Sequence, residues 1–130
     1  MVCLETDFLV DLLRNKKEAI LKLEELVQKN SIIVATPISL TELFHGAFKS
    51  KNQLNVENVE KIMAGVELLD FDFFASKKAG ELIAFLEEKG EKIGDNDTIT
   101  AAIALRHGEK IITRNAKHFG KIKELEIETY

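Results

Sequence analysis

The chain has 130 residues, 45% of them apolar, with a formal net charge of −4 and an isoelectric point near 5.4. That length can bury about two thirds of its unfolded surface around one core, so residues 1–130 read as a single domain. The acidic balance argues against a globally basic nucleic-acid coat, and no apolar run approaches the ~20 residues of a membrane-spanning helix.

Val2 to Thr6 is short and apolar and reads as a strand; Asp7 to Leu13 follows with helical spacing, Asp7 standing where an N-cap would be. Acids at positions 5, 7 and 11 are unlike a signal-peptide core, and the lone Cys3 can form no intramolecular disulfide. Both point to the cytoplasm, with Cys3 a small core residue and no membrane partner. Residues 16–29 carry Ala19, Ile20, Leu23, Leu26 and Val27 at helical intervals, ended by Asn30-Ser31. Ile32-Ile33-Val34-Ala35 is a continuous apolar run, expected of a strand covered on both faces, and Pro37 stands where a helix would begin. Leu40, Leu43, Phe44, Ala47 and Phe48 form its stripe. Residues 55–66 repeat the helical period, and 68–71 read as a short strand. Residues 75–89 are amphipathic up to Gly90, residues 95–105 form a helix rich in Ala and Ile, and 111–113 and 125–128 supply the last strands. Strands alternating with helices predict parallel pairing through right-handed crossovers, hence a three-layer α/β/α domain with a central parallel sheet of about four or five strands. Phe44, Phe48, Phe73 and Phe74 are expected in the core rather than on a partner surface.

Polar residues stand where the strands run out: Glu5 and Asp7 after the first, Glu42 in the helix after Pro37, Asp97 opening the Ala-rich helix, and Asn115 after Ile111-Ile112-Thr113-Arg114. In an open parallel sheet these positions border the crevice in which ligands bind. Carboxylates within about 4 Å repel by roughly 4 kcal/mol per pair at an effective dielectric of 20, so a cation is the simplest neutraliser. Oxygen donors without paired His or Cys favour Mg²⁺ or Mn²⁺ over zinc. Asp7 and Asp95 also fit N-caps, whereas Asp97 exceeds what one cap requires. Asn115 could position a water or ligand, or simply close a turn. His45 lies one turn from Glu42 but has no second copy, so it reads as structural, and His107 and His118 read as surface or capping residues. Residues 106–123 hold six basic side chains against Glu109 alone, a local patch for a polyanion or a solvated rim.

Four blocks of the chain resemble the PIN-domain ribonucleases of the VapC toxin branch. They are Leu4-Glu5-Thr6-Asp7-Phe8-Leu9-Val10-Asp11-Leu12-Leu13-Arg14, Thr41-Glu42-Leu43 with Gly46-Ala47, Ile93-Gly94 with Asp97-x-x-x-Ala101-Ala102, and Thr113-Arg114-Asn115 with His118-Phe119. They come in family order and cover nearly the whole chain. The resemblance implies a PIN fold, Mg²⁺- or Mn²⁺-dependent endonucleolytic cleavage of RNA, a homodimer, and inhibition by a small VapB-type antitoxin. It maps the family's acidic positions to Glu5, Glu42 and Asp97, which would hold the metal, and to Asn115, with Asp7, Asp95 and Thr113 behind them and Arg114 and Lys117 beside the site for the RNA backbone.

Two positions depart from the family. Glu5 stands where Asp is usual, and its added methylene moves the carboxylate by about 1 Å, a displacement that can cost on the order of 100-fold in rate. Asn115 replaces an Asp found in many members, leaving one negative charge fewer at any second metal site. A catalytically weakened PIN-like RNA- or protein-binding module is therefore an alternative. Glu5-Thr6-Asp7 also superficially resembles the Asp-x-Asp start of haloacid-dehalogenase-type phosphatases, a reading that needs an aspartyl nucleophile at position 5.

Overall fold

The structure, a computed structural model, describes residues 1–130. Its elements run β1 (Val2–Leu4), α1 (Thr6–Leu13), α2 (Lys17–Gln28), β2 (Ile33–Ala35), α3 (Pro37–Lys49), α4 (Gln53–Met63), β3 (Glu67–Leu68), α5 (Phe73–Glu88), α6 (Asp95–Arg106), β4 (Lys110–Ile112), α7 (Ala116–Phe119) and β5 (Ile127–Glu128). The five strands form one sheet in the order β3-β2-β1-β4-β5, every neighbouring pair parallel. This is the expected three-layer α/β/α arrangement, at the upper end of the expected strand number.

Side chains alternate across the sheet with the period of two that strands impose. Val2, Leu4, Ala35 and Ile112 face one layer, where they pack on Phe8, Leu9 and Leu12 of α1, Ala19 and Leu26 of α2, Leu43 and Ala47 of α3, and Val56 and Val59 of α4. Cys3, Val34 and Ile111 face the other, against Ala75, Ala79, Leu82 and Leu86 of α5 and residues 101–104 of α6. Burial, with Glu109 adding to it, pushes the Cys3 thiol up to about 12, so it behaves as an inert apolar side chain. Phe8 is fully buried and its ring meets that of Tyr130 edge to face at 4.6 Å. Phe8→Ala is expected to cost about 3–5 kcal/mol, the range for deleting a buried aromatic ring, read as a fall in the denaturant midpoint without a change in slope.

The strand order sets the position of the crevice. From β1 the chain moves outward through β2 to β3 on one side, then crosses to β4 on the other, so β1 and β4 are the adjacent strands at which the winding reverses. A gap opens between the connections leaving their carboxyl ends.

Several local expectations are corrected. Asp7 does not cap α1; Glu5 does, in an extended conformation (φ −78°, ψ 161°), with its side chain accepting from the Asp7 N–H. Asp95 does not cap α6 either, since Gly94 holds that position at φ 98°, a conformation that a residue with a Cβ adopts only with strain. The third strand is Glu67–Leu68 instead of 68–71. It is an edge strand, and after Leu69 N–H bonds the Ala35 carbonyl (2.9 Å) the chain turns away from the ladder. Helix α7 (Ala116–Phe119) has no counterpart among the elements expected from periodicity. Phe48, Phe73 and Phe74 are exposed, not core. The buried stripe of α5 is carried by Ala75, Ala79, Leu82 and Leu86, which leaves both aromatics of the first turn outside it; they pack on each other at 5.4 Å, with the Arg106 guanidinium 4.9 Å above Phe74. Phe44 does pack on the core. No helix is long and apolar enough to cross a membrane.

Candidate active site

Glu5 directly follows β1, where its N–H bonds the Ile112 carbonyl of β4 at 3.1 Å. Its carboxylate turns inward and is only 5% exposed. Thr113 directly follows β4 and is fully buried. Its Oγ1 lies 3.1 Å from Glu5 Oε2 and 3.2 and 3.1 Å from Asp7 Oδ1 and Oδ2, while accepting from the Asn115 N–H at 2.9 Å. One hydroxyl proton cannot serve three carboxylate oxygens, so two carboxyl groups meeting there need a further proton or a cation. Burial first, then the neighbouring Asp7 carboxylate, push the Glu5 carboxyl up to about 9, with Asp97 adding to the effect. Asp7 Oδ2 also accepts from the Arg114 N–H at 3.1 Å.

Glu42 arrives from β2. Thr36 caps α3 by accepting from the Ser39 N–H at 3.1 Å, and Pro37 supplies a first helical position that needs no donor. The next turn carries Glu42, whose Oε1 accepts from Thr6 Oγ1 at 2.8 Å; the same Thr6 oxygen is 2.9 Å from Ser39 Oγ. Thr6 thus ties α1 to α3 next to the acids, a role that its sequence position between Glu5 and Asp7 hinted at only through proximity.

Asp97 sits half-buried in the first turn of α6. Burial raises its carboxyl pKa, the negative charges of Glu42 and Asp7 raise it further, and His118 acts in the opposite sense. His118, read from sequence as a surface or capping residue, instead belongs to the site. Its Nδ1 is 3.5 Å from Asp97 Oδ2 and 3.0 Å from Asn115 Nδ2, so one ring nitrogen serves either as donor to the acid or as acceptor from the amide. The clue available in sequence was the spacing Asn115-x-x-His118, which puts both on one helical turn.

Glu5, Asp7, Glu42, Asp97, Thr113 and Asn115 are therefore gathered at the carboxyl edge of the sheet, linked by direct hydrogen bonds or by the mutual effect of their charges. Asp95 is exposed at the first position of α6, outside this hydrogen-bond network. Arg114 and Lys117 are exposed beside it, and His45 is exposed on α3. No three His, Cys, Asp or Glu side chains close around a single point. Each acid leans instead on a protein donor: Glu5 on the Asp7 N–H, Asp7 on Arg114, Glu42 on Thr6, Asp97 on His118. The donor set, carboxylates with an amide and hydroxyls, fits a hard divalent cation.

A family model described as PIN domain matches residues 2–125. Ribonuclease VapC2 of Rickettsia felis is 35% identical over 107 residues, covering 82% of this chain and 80% of that protein. The tRNA(fMet)-specific endonuclease VapC of Salmonella typhimurium is 31% identical over 128 residues, 98% of this chain and 96% of that protein. In three dimensions the chain superposes on VapBC2 from Rickettsia felis, solved bound to a promoter DNA fragment, with a TM-score of 0.92 and 32% identity over 100% of this chain and 99% of that one. Alignment to DNA-bound VapBC from Salmonella typhimurium gives 0.90 and 31% over 99% and 98%. A fold shared over its full length, with the acids at the strand ends that the four sequence blocks anticipate, makes this chain a member of the PIN-domain family, in its VapC ribonuclease branch.

Proposed function

We propose that this chain is a Mg²⁺- or Mn²⁺-dependent endoribonuclease, the toxin of a VapC-type toxin–antitoxin pair, acting in the cytoplasm as a single domain over residues 1–130 and assembling as a homodimer. The observation that carries this reading is the gathering of Glu5, Asp7, Glu42 and Asp97 at the carboxyl edge of the sheet, with Glu5 and Asp7 meeting on the Thr113 hydroxyl and Glu42 on Thr6; burial first and the acidic neighbours second push the Glu5 carboxyl up to about 9. PIN-domain ribonucleases generally depend on a divalent metal, and the oxygen donors here suit one.

Glu5, Glu42 and Asp97 would hold the ion, with Asn115 as a neutral fourth position and Asp7 and Thr113 orienting the set. A bound divalent ion would neutralise charge on the scissile phosphate and make a water more acidic. The chain's own part is positional. Thr6 fixes the Glu42 carboxylate, and His118 links Asp97 to Asn115. Arg114 and Lys117 line the approach and would meet the RNA backbone, making binding weaken as salt rises. Known relatives occur in complexes with VapB proteins, so a small VapB-type antitoxin is the partner that this chain would require.

A second reading, a weakened module that binds RNA without cutting it, draws on the inward-turned Glu5. Expression without an antitoxin separates the two. Growth arrest relieved by Glu42→Ala, together with RNA cleavage in Mn²⁺ that chelation stops, is the expected result; arrest that survives Glu42→Ala would overturn the nuclease reading in favour of binding.

A further inference from the structure

Asp11 lies one helical turn beyond Asp7 on α1, its side chain only 4% exposed. A buried carboxylate needs its lone pairs satisfied. Yet only Oδ2 is used: it accepts from Tyr130 Oη at 2.6 Å and from Arg114 Nη1 at 3.0 Å, while Oδ1 is buried with no partner. An arginine beside a carboxylate ordinarily closes its fork on both oxygens. Here it touches one, and the Tyr130 hydroxyl holds that same oxygen.

Tyr130 is well placed for this. β5 aligns on β4 through the Thr113 N–H to Glu128 carbonyl bond of 3.1 Å, bringing Tyr130 to the sheet edge where the acids gather. Its ring stands edge to face on fully buried Phe8, which fixes the hydroxyl. Arg114 is meanwhile held on its other side, with its N–H on Asp7 and its Nε 4.0 Å from Asp7 Oδ2, and its side chain remains 56% exposed next to Asn115.

The geometry points to Tyr130 as a positioning residue that acts through Asp11 on Arg114, keeping the guanidinium in a single-point contact so that its remaining N–H donors stay available to an RNA phosphate beside the site. Without the hydroxyl, Oδ2 loses the donor that fixes its direction, the carboxylate is free to turn both oxygens toward the fork, and Arg114 is drawn inward, away from substrate. The role of Arg114 toward RNA rests on the ribonuclease reading above; the clamp on its side chain does not.

Tyr130→Phe tests this, since it keeps the ring on Phe8 and removes only the hydroxyl. Expected is a rise in KM for RNA of about fivefold, the scale of one hydrogen bond, with kcat within about twofold of the parent. In an Arg114→Ala background the same substitution is expected to add nothing, because the residue through which it acts is gone. An unchanged KM, or an equal loss in both backgrounds, would overturn the proposal, the second marking a merely structural residue. Nitrogen-15 NMR of the Arg114 Nε–H gives a reading independent of RNA. A resonance that shifts or broadens in Tyr130→Phe supports the clamp, and one that does not move overturns it. Should the parent protein cleave no RNA, the ribonuclease reading fails and the NMR result alone decides the clamp.

Discussion

Replacing Asp97 by Asn is expected to reduce metal-dependent RNA cleavage by on the order of 100-fold or more, the scale seen when one preorganised electrostatic group is lost from an active site. The substitution is nearly isosteric and removes only charge. Asp97 is half-buried at the start of α6, where its carboxyl carries the combined penalty of burial and of the Glu42 and Asp7 charges. The amide relieves that repulsion, so the melting temperature should stay level or rise slightly, while a favourable acid-to-helix-terminus interaction of a few tenths of a kcal/mol is lost. Initial rates in Mn²⁺ alongside a thermal melt check both halves. Cleavage at the parent rate would remove Asp97 from the site; cleavage lost together with the fold would mean that its role is architectural.

The second large effect concerns Glu5, whose carboxyl is pushed from the ordinary 4.5 up to about 9 by burial and by its acidic neighbours. The folded protein therefore holds more protons than the unfolded chain between those two values. Stability of the metal-free protein is fully present below about 4.5 and declines as pH rises through that window toward 9, by roughly 6 kcal/mol in the limit of the full shift. Asp97, shifted in the same direction, adds to the slope. A divalent ion that takes Glu5 as a ligand must displace its proton, so Mn²⁺ binding near pH 7 is expected to release about one proton, measurable by calorimetry in buffers of different ionisation enthalpy. Glu5→Gln mimics the protonated form. It should flatten the pH dependence of the melting temperature, match the parent near pH 4 and be more stable than the metal-free parent at neutral pH, eliminate the released proton, and weaken Mn²⁺ binding. If Mn²⁺ binds the parent with no proton release, Glu5 is not a ligand and the metal rests on Asp7, Glu42 and Asp97.

These expectations give the glutamate at position 5 a structural account. The longer side chain folds back to cap α1 through the Asp7 N–H and meets the Thr113 hydroxyl, leaving the carboxyl buried. Asp7, expected to do the capping, is freed to hold Arg114. The capping duty that sequence spacing suggested for Asp7 falls to Glu5. Pattern reasoning sees that an acid precedes a helix but not which of two acids, two residues apart, turns toward the helix N–H groups.

Much of the scaffold was legible because it follows from local periodicity. The runs read as strands at 2–6, 32–35 and 111–113, each placed between helical stripes, predict parallel strands covered on both faces, and the structure has them at Val2–Leu4, Ile33–Ala35 and Lys110–Ile112. The elements that went astray are those in which periodicity is weak: β3 has two residues on an edge, and α7 has four. Phe73 and Phe74 went astray for another reason. Hydrophobicity says that a side chain prefers burial, and it cannot say that Ala75, Ala79, Leu82 and Leu86 have already filled that face of α5.

The sequence by itself determined the layers, the parallel sheet and which acids stand at strand ends, since those depend on spacing along the chain and on the chirality of crossovers. Only the tertiary structure decided which of those acids meet, that burial raises the Glu5 carboxyl, that His118 joins Asp97 to Asn115, and that Tyr130 shares Asp11 with Arg114. Burial and charge coupling act through distances of a few ångströms between residues up to 119 positions apart, and chain spacing carries no information at that range.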